Sequence, residues 1–157
     1  MIKSFSKNIH KTKVNSKLKI AIVRGDYHKD LTKSLERACI EYLIISGVKT
    51  ENIGTFAVPG SWEIPLLVKK IASSKKFDGI VAFGVIVKGE TYHFEMIANE
   101  CARALMNSAL EFNIPVTFEV LAVYNLEQAQ KRSTGKYNKG IEAAKAVLKT
   151  IRELSKL

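Results

Sequence analysis

The stretch that decides the fold is residues 79–103, GIVAFGVIVKGETYHFEMIANECAR. An apolar run over residues 80–87 ends in the turn KGET (residues 88–91), and a helical pattern then begins with His93 in its first turn. The pattern predicts a buried strand that leads into a helix through a tight glycine turn. Ligands bind at the carboxyl ends of strands in open α/β sheets, and the free N–H groups at a helix start attract phosphate. The stretch therefore predicts a phosphate site beside an imidazole; the alternative is a structural helix whose first turn holds a histidine without a function.

Strand and helix patterns alternate on both sides of this stretch. Short apolar, β-branched runs predict strands at residues 18–24, 53–58, 80–87 and 116–123. Apolar residues at helical spacing follow at about residues 31–45, 61–73, 93–112, 125–132 and 141–154. Ser61 is expected to cap the second helix, with Pro65 in or near its first turn. The alternation predicts a three-layer α/β/α, flavodoxin-like fold with a four-stranded parallel sheet.

Length and charge predict one domain with a basic extension. The chain has 157 residues, which fits a single domain, and residues 17–157 are predicted to form it. Residues 1–16 are rich in lysine and have no sustained period, so they are predicted to form a mobile arm. The net charge of +10 favours acidic ligands such as small phosphorylated substrates, or it serves only to solvate the surface. A nucleic-acid-binding protein is an alternative, but no known binding motif supports nucleic acid as a partner.

Composition also indicates the cell compartment of the protein. No apolar run approaches the roughly 20 residues of a membrane helix, so no membrane partner is expected. The first residues lack the apolar segment of a signal peptide. Cys39 and Cys101 lie far apart in helical patterns, which is neither a disulfide framework nor a metal spacing. A cytoplasmic protein with both cysteines in its core is the expectation.

Four loops are predicted to meet at the carboxyl edge of a parallel sheet, and their convergence predicts a site. These loops are residues 25–30, 59–63, 85–93 and 123–125. Residues in or near them also have purely structural explanations. The alternatives are a surface position for Tyr27, core positions for Trp62 and Phe118, and a favourable interaction with a helix dipole for Glu63 and Arg132.

His93 has the most specific chemical rationale. The positive end of a helix dipole disfavours a cationic imidazole, so His93 is expected to accept and return a proton. Such a group suits an addition–elimination sequence. No metal is expected, because His10, His28 and His93 are not spaced as ligands, and two isolated cysteines do not indicate a nucleophile.

Several blocks of the sequence resemble those of the lumazine synthase (6,7-dimethyl-8-ribityllumazine synthase) family, in the same order. They are VPGSWEIPL (58–66), GVIVKGETYHFE with the following IANE (84–100), IPVTFEVL (114–121), NLEQAQKR (125–132) and NKGIEAA (138–144). The resemblance covers about residues 18–155. It implies condensation of 5-amino-6-(D-ribitylamino)uracil with 3,4-dihydroxy-2-butanone 4-phosphate, with loss of phosphate and water and without a cofactor.

The resemblance also implies a role for each site residue. His93 would transfer protons. Arg132 would bind the phosphate of the butanone substrate together with Glu90 and Thr91, through backbone N–H groups and the Thr91 hydroxyl. The pyrimidine and its ribityl chain would contact Tyr27, which would stack on the ring, then Ser61, Trp62, Glu63, Val85, Ile86 and Val87, and also Phe118 of the neighbouring subunit.

A site shared between neighbours implies a homo-oligomer, either a pentamer or a multiple of pentamers, with riboflavin synthase as a candidate further partner. The chain also departs from the family pattern. Asp26 replaces a basic residue, His28 an amide, Trp62 a phenylalanine and Glu119 a glycine, and the loop at residues 133–137 is one residue shorter. An archaeal-type riboflavin synthase of the same fold and a non-catalytic lumazine- or flavin-binding module are the alternatives.

Overall fold

A computed structural model describes residues 14–157 as a parallel sheet between two layers of helices. The strands of this part of the chain are β1 (Ile20–Gly25), β2 (Ile53–Val58), β3 (Gly79–Val87) and β4 (Val116–Val123). The helices are α1 (Lys29–Ile45), α2 (Ile64–Ser73), α3 (His93–Phe112), α4 (Leu126–Ser133) and α5 (Lys139–Leu154), with single 3₁₀ turns at Thr50–Asn52 and Gly135–Tyr137. All strands are parallel, in the order β2-β1-β3-β4. The predicted three-layer, flavodoxin-like fold is confirmed.

The beginning of the described chain packs on the domain. The predicted basic arm lies largely in residues 1–13, outside the described residues. Val14 packs against the core, and its N–H donates to the carbonyl of Ser46 at 3.2 Å. Leu18 closes a turn, so β1 begins at Ile20 and not at residue 18. None of the helices within residues 14–157 has the length and apolar character needed to cross a bilayer.

Alternate residues of each strand face opposite helix layers. Ile20 and Ile22 of β1 join the core formed with α1, α4 and α5, while Ala21 and Val23 join the core formed with α2 and α3. β3 is buried along almost its whole length. A parallel strand covered on both faces must be apolar at every position, which explains the continuous run in its sequence.

Close backbone approaches bring the loops at the carboxyl edge together. A Cβ on Gly25 would lie 3.0 Å from the carbonyl carbon of Gly60, and a Cβ on Gly84 would lie 2.5 Å from Oγ of Ser61. The missing side chains of these glycines allow the close approach. The loops that follow β1 and β2 therefore pack against each other and against β3.

The start of α2 differs from the prediction. Ser61 does not cap this helix, so that prediction was wrong: the N-cap position belongs to Glu63. Ser61 is instead buried, and its hydroxyl lies against Gly84 of β3. Pro65 lies in the first turn of α2, as predicted.

Candidate active site

A cavity of about 660 Å³ opens at the carboxyl edge of the sheet. The strand order reverses there, between β1 and β3, which is where open α/β sheets bind ligands. Its volume lies in the range of roughly 300–1,000 Å³ that is usual for small-molecule sites. Most of the residues named from the sequence line it: Tyr27, Ser61, Trp62, Glu63, Val85, Ile86, Val87, Thr91 and His93. Their roles stay predictions, since no ligand contact tests them.

The loop between β1 and α1 continues the pairing of the sheet. The N–H of Asp26 donates to the carbonyl of Val58 at 2.8 Å, and the N–H of Tyr27 donates to the carbonyl of Pro59 at 2.9 Å. These bonds hold Tyr27 at the rim of the cavity, where the residue is 71% exposed. An aromatic ring that is anchored through its backbone and open on its faces suits stacking on a planar ligand.

The loop between β2 and α2 contributes a carboxylate and an indole. Oε2 of Glu63 accepts the N–H of Gly60 at 2.9 Å, which closes the turn. A carboxylate has several lone pairs, so Glu63 can still accept hydrogen bonds from hydroxyl groups in the cavity. Trp62 is 56% exposed and lines the cavity, so its alternative assignment to the core is wrong.

Lys88 fixes the turn between β3 and α3. Its N–H donates to the last carbonyl of β4 at 2.8 Å, and its Nζ lies 3.0 Å from Oε1 of Glu95. The hydrogen bond from Lys88 lowers the pKa of the Glu95 carboxyl. The ammonium also lies 5.9 Å from the ring centroid of Phe94 and 5.7 Å from that of Tyr124. These contacts hold the end of β4 and the start of α3 around residues 89–91.

His93 is the first residue of α3, and its exposed side chain lines the cavity. Tyr92 occupies the N-cap position without a capping side-chain hydrogen bond. The first N–H groups of a helix have no carbonyl partner within the helix, so they can bind an anion together with the nearby Thr91 hydroxyl. The geometry thus sets a proton-accepting group beside a position suited to phosphate.

Three residues named from the sequence do not line the cavity of their own protomer. Glu90 is exposed in the turn between β3 and α3. Phe118 is 43% exposed on β4, which is an edge strand. Arg132 is exposed on α4, where its Nη1 donates to the carbonyl of Gln128 at 3.1 Å. α4 packs on the face of the sheet opposite to α3. Arg132 and the turn at Glu90 and Thr91, both predicted to bind phosphate, therefore lie on opposite sides of the sheet in one protomer.

Asp26, which departs from the family pattern, is neutralised close to its own loop. Arg24 forms an ion pair with Asp26, and its Nε also donates to Oε2 of Glu36 on α1 at 2.9 Å. Nζ of Lys29 lies 3.7 Å from Oδ2 of Asp26. The aspartate therefore brings no uncompensated negative charge to the edge of the cavity.

Glu119, a second departure, is partly buried on β4 beneath the start of α5. Burial raises the pKa of its carboxyl to about 7, while the ammonium of Lys139 opposes this shift and the carboxylate of Glu142 adds to it. A partly buried carboxyl with this pKa changes its charge near neutral pH.

The cysteines do not supply a nucleophile. Cys39 and Cys101 are buried and unpaired, which confirms their predicted core positions. Burial raises the pKa of the Cys39 thiol above its ordinary range and that of Cys101 to about 11, so both stay protonated at neutral pH. Among residues 14–157, no group of three or more His, Cys, Asp or Glu side chains is arranged to hold a metal ion.

Some lining residues were not named from the sequence as site residues. They are His28, Pro59, Gly60, Gly89, Phe94 and Ile97. Most of them fall inside the loops that were expected to converge, so their location at the carboxyl edge was the available signal. Phe94 and Ile97 belong to the apolar helical pattern predicted over residues 93–112. The side-chain direction of His28 had no signal in the sequence pattern.

Comparison with known proteins gives a consistent result. Residues 17–155 match the family model described as 6,7-dimethyl-8-ribityllumazine synthase. The chain is similar to the protein of that name from Vesicomyosocius okutanii subsp. Calyptogena okutanii, at 45% identity over 139 residues that cover 85% of this chain and 83% of that protein. The similarity to its counterpart from Ruthia magnifica subsp. Calyptogena magnifica is 42% over 142 residues, covering 87% and 85% of the two chains. The counterpart from Nitratidesulfovibrio vulgaris is 40% identical over 141 residues, covering 89% and 90%.

Proposed function

We propose a function from the premise that this chain belongs to the 6,7-dimethyl-8-ribityllumazine synthase family. It is an enzyme, a transferase of riboflavin biosynthesis. It condenses 5-amino-6-(D-ribitylamino)uracil with 3,4-dihydroxy-2-butanone 4-phosphate to 6,7-dimethyl-8-ribityllumazine and releases phosphate and water. The observation that carries this function is the cavity at the carboxyl edge, where the turn before α3, an imidazole and an exposed aromatic ring meet.

The reaction requires positioning and proton transfer more than strong activation. An amine adds to a ketone, water and the phosphate group leave, and a ring closes. Binding both reactants in one cavity removes a large part of the entropic barrier to their encounter. Each of these steps also moves a proton, which a group with acid and base forms near neutral pH can accept and return. The proposed mechanism uses no cofactor.

His93 is proposed to be the catalytic residue that moves these protons. Its imidazole lines the cavity at the start of α3, beside the turn proposed to bind phosphate. A histidine can take a proton from the attacking amine and return one to a leaving group.

The phosphate of the butanone substrate is proposed to bind between two protomers. The turn of one protomer supplies the backbone N–H groups of Glu90 and Thr91 and the Thr91 hydroxyl, while the Glu90 carboxylate points away. Arg132 of a neighbouring protomer supplies a guanidinium, whose fork matches two phosphate oxygens. The absence of Arg132 from the cavity of its own protomer supports this division.

The pyrimidine substrate is proposed to stack on Tyr27, with its ribityl chain along the loop between β2 and α2. Glu63 accepts hydrogen bonds from the ribityl hydroxyl groups. The remaining contacts are proposed to be with Ser61, Trp62, Val85, Ile86 and Val87 of the same protomer and with Phe118 of its neighbour.

The enzyme is proposed to be a homo-oligomer, a pentamer or a multiple of pentamers, in which each site is completed by a neighbour. Apolar side chains on the outer surface of α2 and α3 support association, since Leu66, Met96, Met106 and Leu110 are all exposed. A ring joined by one repeated, heterologous interface gives every protomer the same partner residues.

The cell compartment and a further partner belong to the same proposal. Two buried, unpaired cysteines fit a reducing compartment, so the enzyme is proposed to act in the cytoplasm. Riboflavin synthase, which consumes the product, is proposed as a partner in the pathway.

The proposed function is tested by incubating the purified chain with both substrates and following the absorbance of the lumazine. Product is expected only when both substrates are present, together with a native mass that is a multiple of five protomers. Riboflavin formed from lumazine alone would instead identify a riboflavin synthase. Binding of lumazine without turnover would identify a non-catalytic module.

A further inference from the structure

His28 lines the same cavity as His93 but has no role in the proposed function. It follows Tyr27 in the loop between β1 and α1. It also stands where the family pattern that this chain resembles has an amide. An additional imidazole on a substrate cavity changes the hydrogen bonds that the cavity offers, so the contacts of His28 matter.

Hydrogen bonds from the first turn of α1 fix the backbone of His28. His28 occupies the N-cap position of α1 in the left-handed conformation, with φ 59° and ψ 46°. Its carbonyl accepts the N–H groups of Leu31 at 3.0 Å and of Thr32 at 3.2 Å. Oγ1 of Thr32 in turn donates to the carbonyl of Gly25 at 2.8 Å, which ties the helix start to the end of β1. These bonds fix the backbone of His28 between β1 and α1.

The side chain of His28 is not used to cap the helix, since it makes no capping hydrogen bond. Its ring instead meets the ring of Tyr27 edge to face, with centroids 4.9 Å apart and planes at 84°. Such a pair restrains the tyrosine while leaving a face of that ring open for stacking. A neutral imidazole also carries one N–H donor and one acceptor nitrogen. Both can serve a ligand in the cavity.

We propose that His28 binds the pyrimidine substrate. Its ring holds Tyr27 in the stacking position, and its nitrogens form hydrogen bonds with the polar groups of the pyrimidine or of its ribityl chain. This inference rests on the proposed function, because it assigns Tyr27 to the pyrimidine. The anion-binding turn belongs to the loop between β3 and α3, so binding of the butanone phosphate is not expected to depend on His28.

The test compares His28→Gly and His28→Asn, which both tolerate the left-handed backbone and so separate ring contacts from backbone strain. Loss of the ring and its hydrogen bond in His28→Gly is expected to raise KM for the pyrimidine about tenfold. In His28→Asn, which keeps a hydrogen-bonding group, the rise is expected to be about threefold. KM for the butanone phosphate is expected to stay near its native value in both variants. Calorimetric titration with the product lumazine is expected to show the same order of affinities.

Lys75→Gly is the matched control, because Lys75 is also left-handed (φ 54°) but does not line the cavity. Its kinetic constants are expected to equal the native ones. A native KM for the pyrimidine in both His28 variants, or equal changes in both KM values, would overturn the inference. If His28→Gly does not fold, a native pyrimidine KM in His28→Asn alone overturns it. Failure of the native chain to form lumazine would instead count against the proposed function itself.

Discussion

His93 and Arg132 are proposed to divide the chemical work at the scale of single residues. His93 lines the cavity at the start of α3, whereas Arg132 is exposed on α4, on the other side of the sheet. His93 is proposed to move protons and Arg132 to hold a phosphate. Their removal should therefore have different kinetic consequences.

Removing the imidazole is expected to slow the reaction without abolishing it. His93→Ala should lower kcat about 10²-fold, because general acid–base catalysis typically contributes 10²–10⁴-fold. Product formation should stay above the rate without enzyme, since the substrates are still held together. Steady-state absorbance measurements test this, with circular dichroism to confirm the fold. A folded variant without any activity, or with native kcat, would refute the division between proton transfer and positioning.

Removing the guanidinium is expected to weaken one substrate selectively. Arg132→Ala should raise KM for the butanone phosphate by about 10-fold or more, because charge-assisted hydrogen bonds to a phosphate are lost. KM for the pyrimidine should change little, and Arg132→Lys should recover part of the loss. Lys131→Ala is the control, since Lys131 forms only an exposed ion pair with Glu127 on the same helix. Equal weakening of both substrates would contradict a phosphate role.

At the scale of elements, the start of α5 is held against α1 by a buried amide and a glycine. Oδ1 of Asn138 accepts the N–H of Gly140 at 2.8 Å, and its Nδ2 donates to the carbonyl of Ser133 at 2.7 Å. Nδ2 also lies 3.3 Å from the carbonyl oxygen of Ser34 on α1. This network closes the short connection between α4 and α5, so the position of α4 depends on it.

Gly140 should not tolerate a side chain. A Cβ at this position would overlap the carbonyl oxygen of Leu35, a backbone atom that cannot move aside without shifting α1. Gly140→Ala is therefore expected to lower the free energy of unfolding by about 3 kcal/mol or to prevent folding. Gly89→Ala is the matched control, because a Cβ there meets nothing within 4 Å. Urea unfolding of both variants measures the difference, and equal stabilities would contradict the packing described.

Glu119 should make the stability of the fold depend on pH. Burial raises its pKa from 4.5 to about 7 in the folded state. Between these values the folded state binds more protons than the unfolded state, so stability falls as pH rises and the penalty is complete above pH 7. Glu119→Gln is expected to raise the free energy of unfolding at pH 8 by about 1–3 kcal/mol and to leave it nearly unchanged at pH 4. Urea unfolding at both pH values measures this; an equal effect at both would show that ionisation is not the cause.

The elements could be predicted well from the sequence because their signals are local. The bounds predicted for β2 and β4 agree with the structure, and the continuous apolar run of β3 reflects burial on both faces. The predicted cap of α2 was wrong because Ser61 packs against Gly84 of β3. This contact joins distant parts of the chain. Periodicity carries no information on such contacts.

The candidate site could be predicted only in part. Its location follows from the parallel sheet, but the roles of its residues came from resemblance to a family. His28 was missed because the direction of its side chain depends on a left-handed backbone that no local pattern encodes. The pairing of Asp26 with Arg24 likewise depends on the packing around α1 and not on spacing along the chain.

At the scale of the whole molecule, the cavity of one protomer lacks two of the residues that are proposed to bind the substrates. The cavity contains His93 and the turn at Thr91 but neither Phe118 nor Arg132, and exposed apolar side chains remain on α2 and α3. The proposed association of protomers would explain both features, because it would cover the apolar surface and bring the missing residues to the cavity. The central claim is therefore that catalysis takes place between two chains.

Complementation between two impaired variants tests this claim most directly. His93→Ala and Arg132→Ala chains are unfolded, mixed in equal amounts and refolded together, and mixed oligomers are verified by native mass spectrometry. A site between two chains is intact when an Arg132→Ala protomer supplies His93 and a His93→Ala neighbour supplies Arg132. Each of the two positions holds the required variant in about half of the cases, so about a quarter of the sites should be intact in a random ring. We predict that activity at low butanone phosphate recovers to about a quarter of the native value. Mixed oligomers no more active than the separate variants would contradict a site shared between chains.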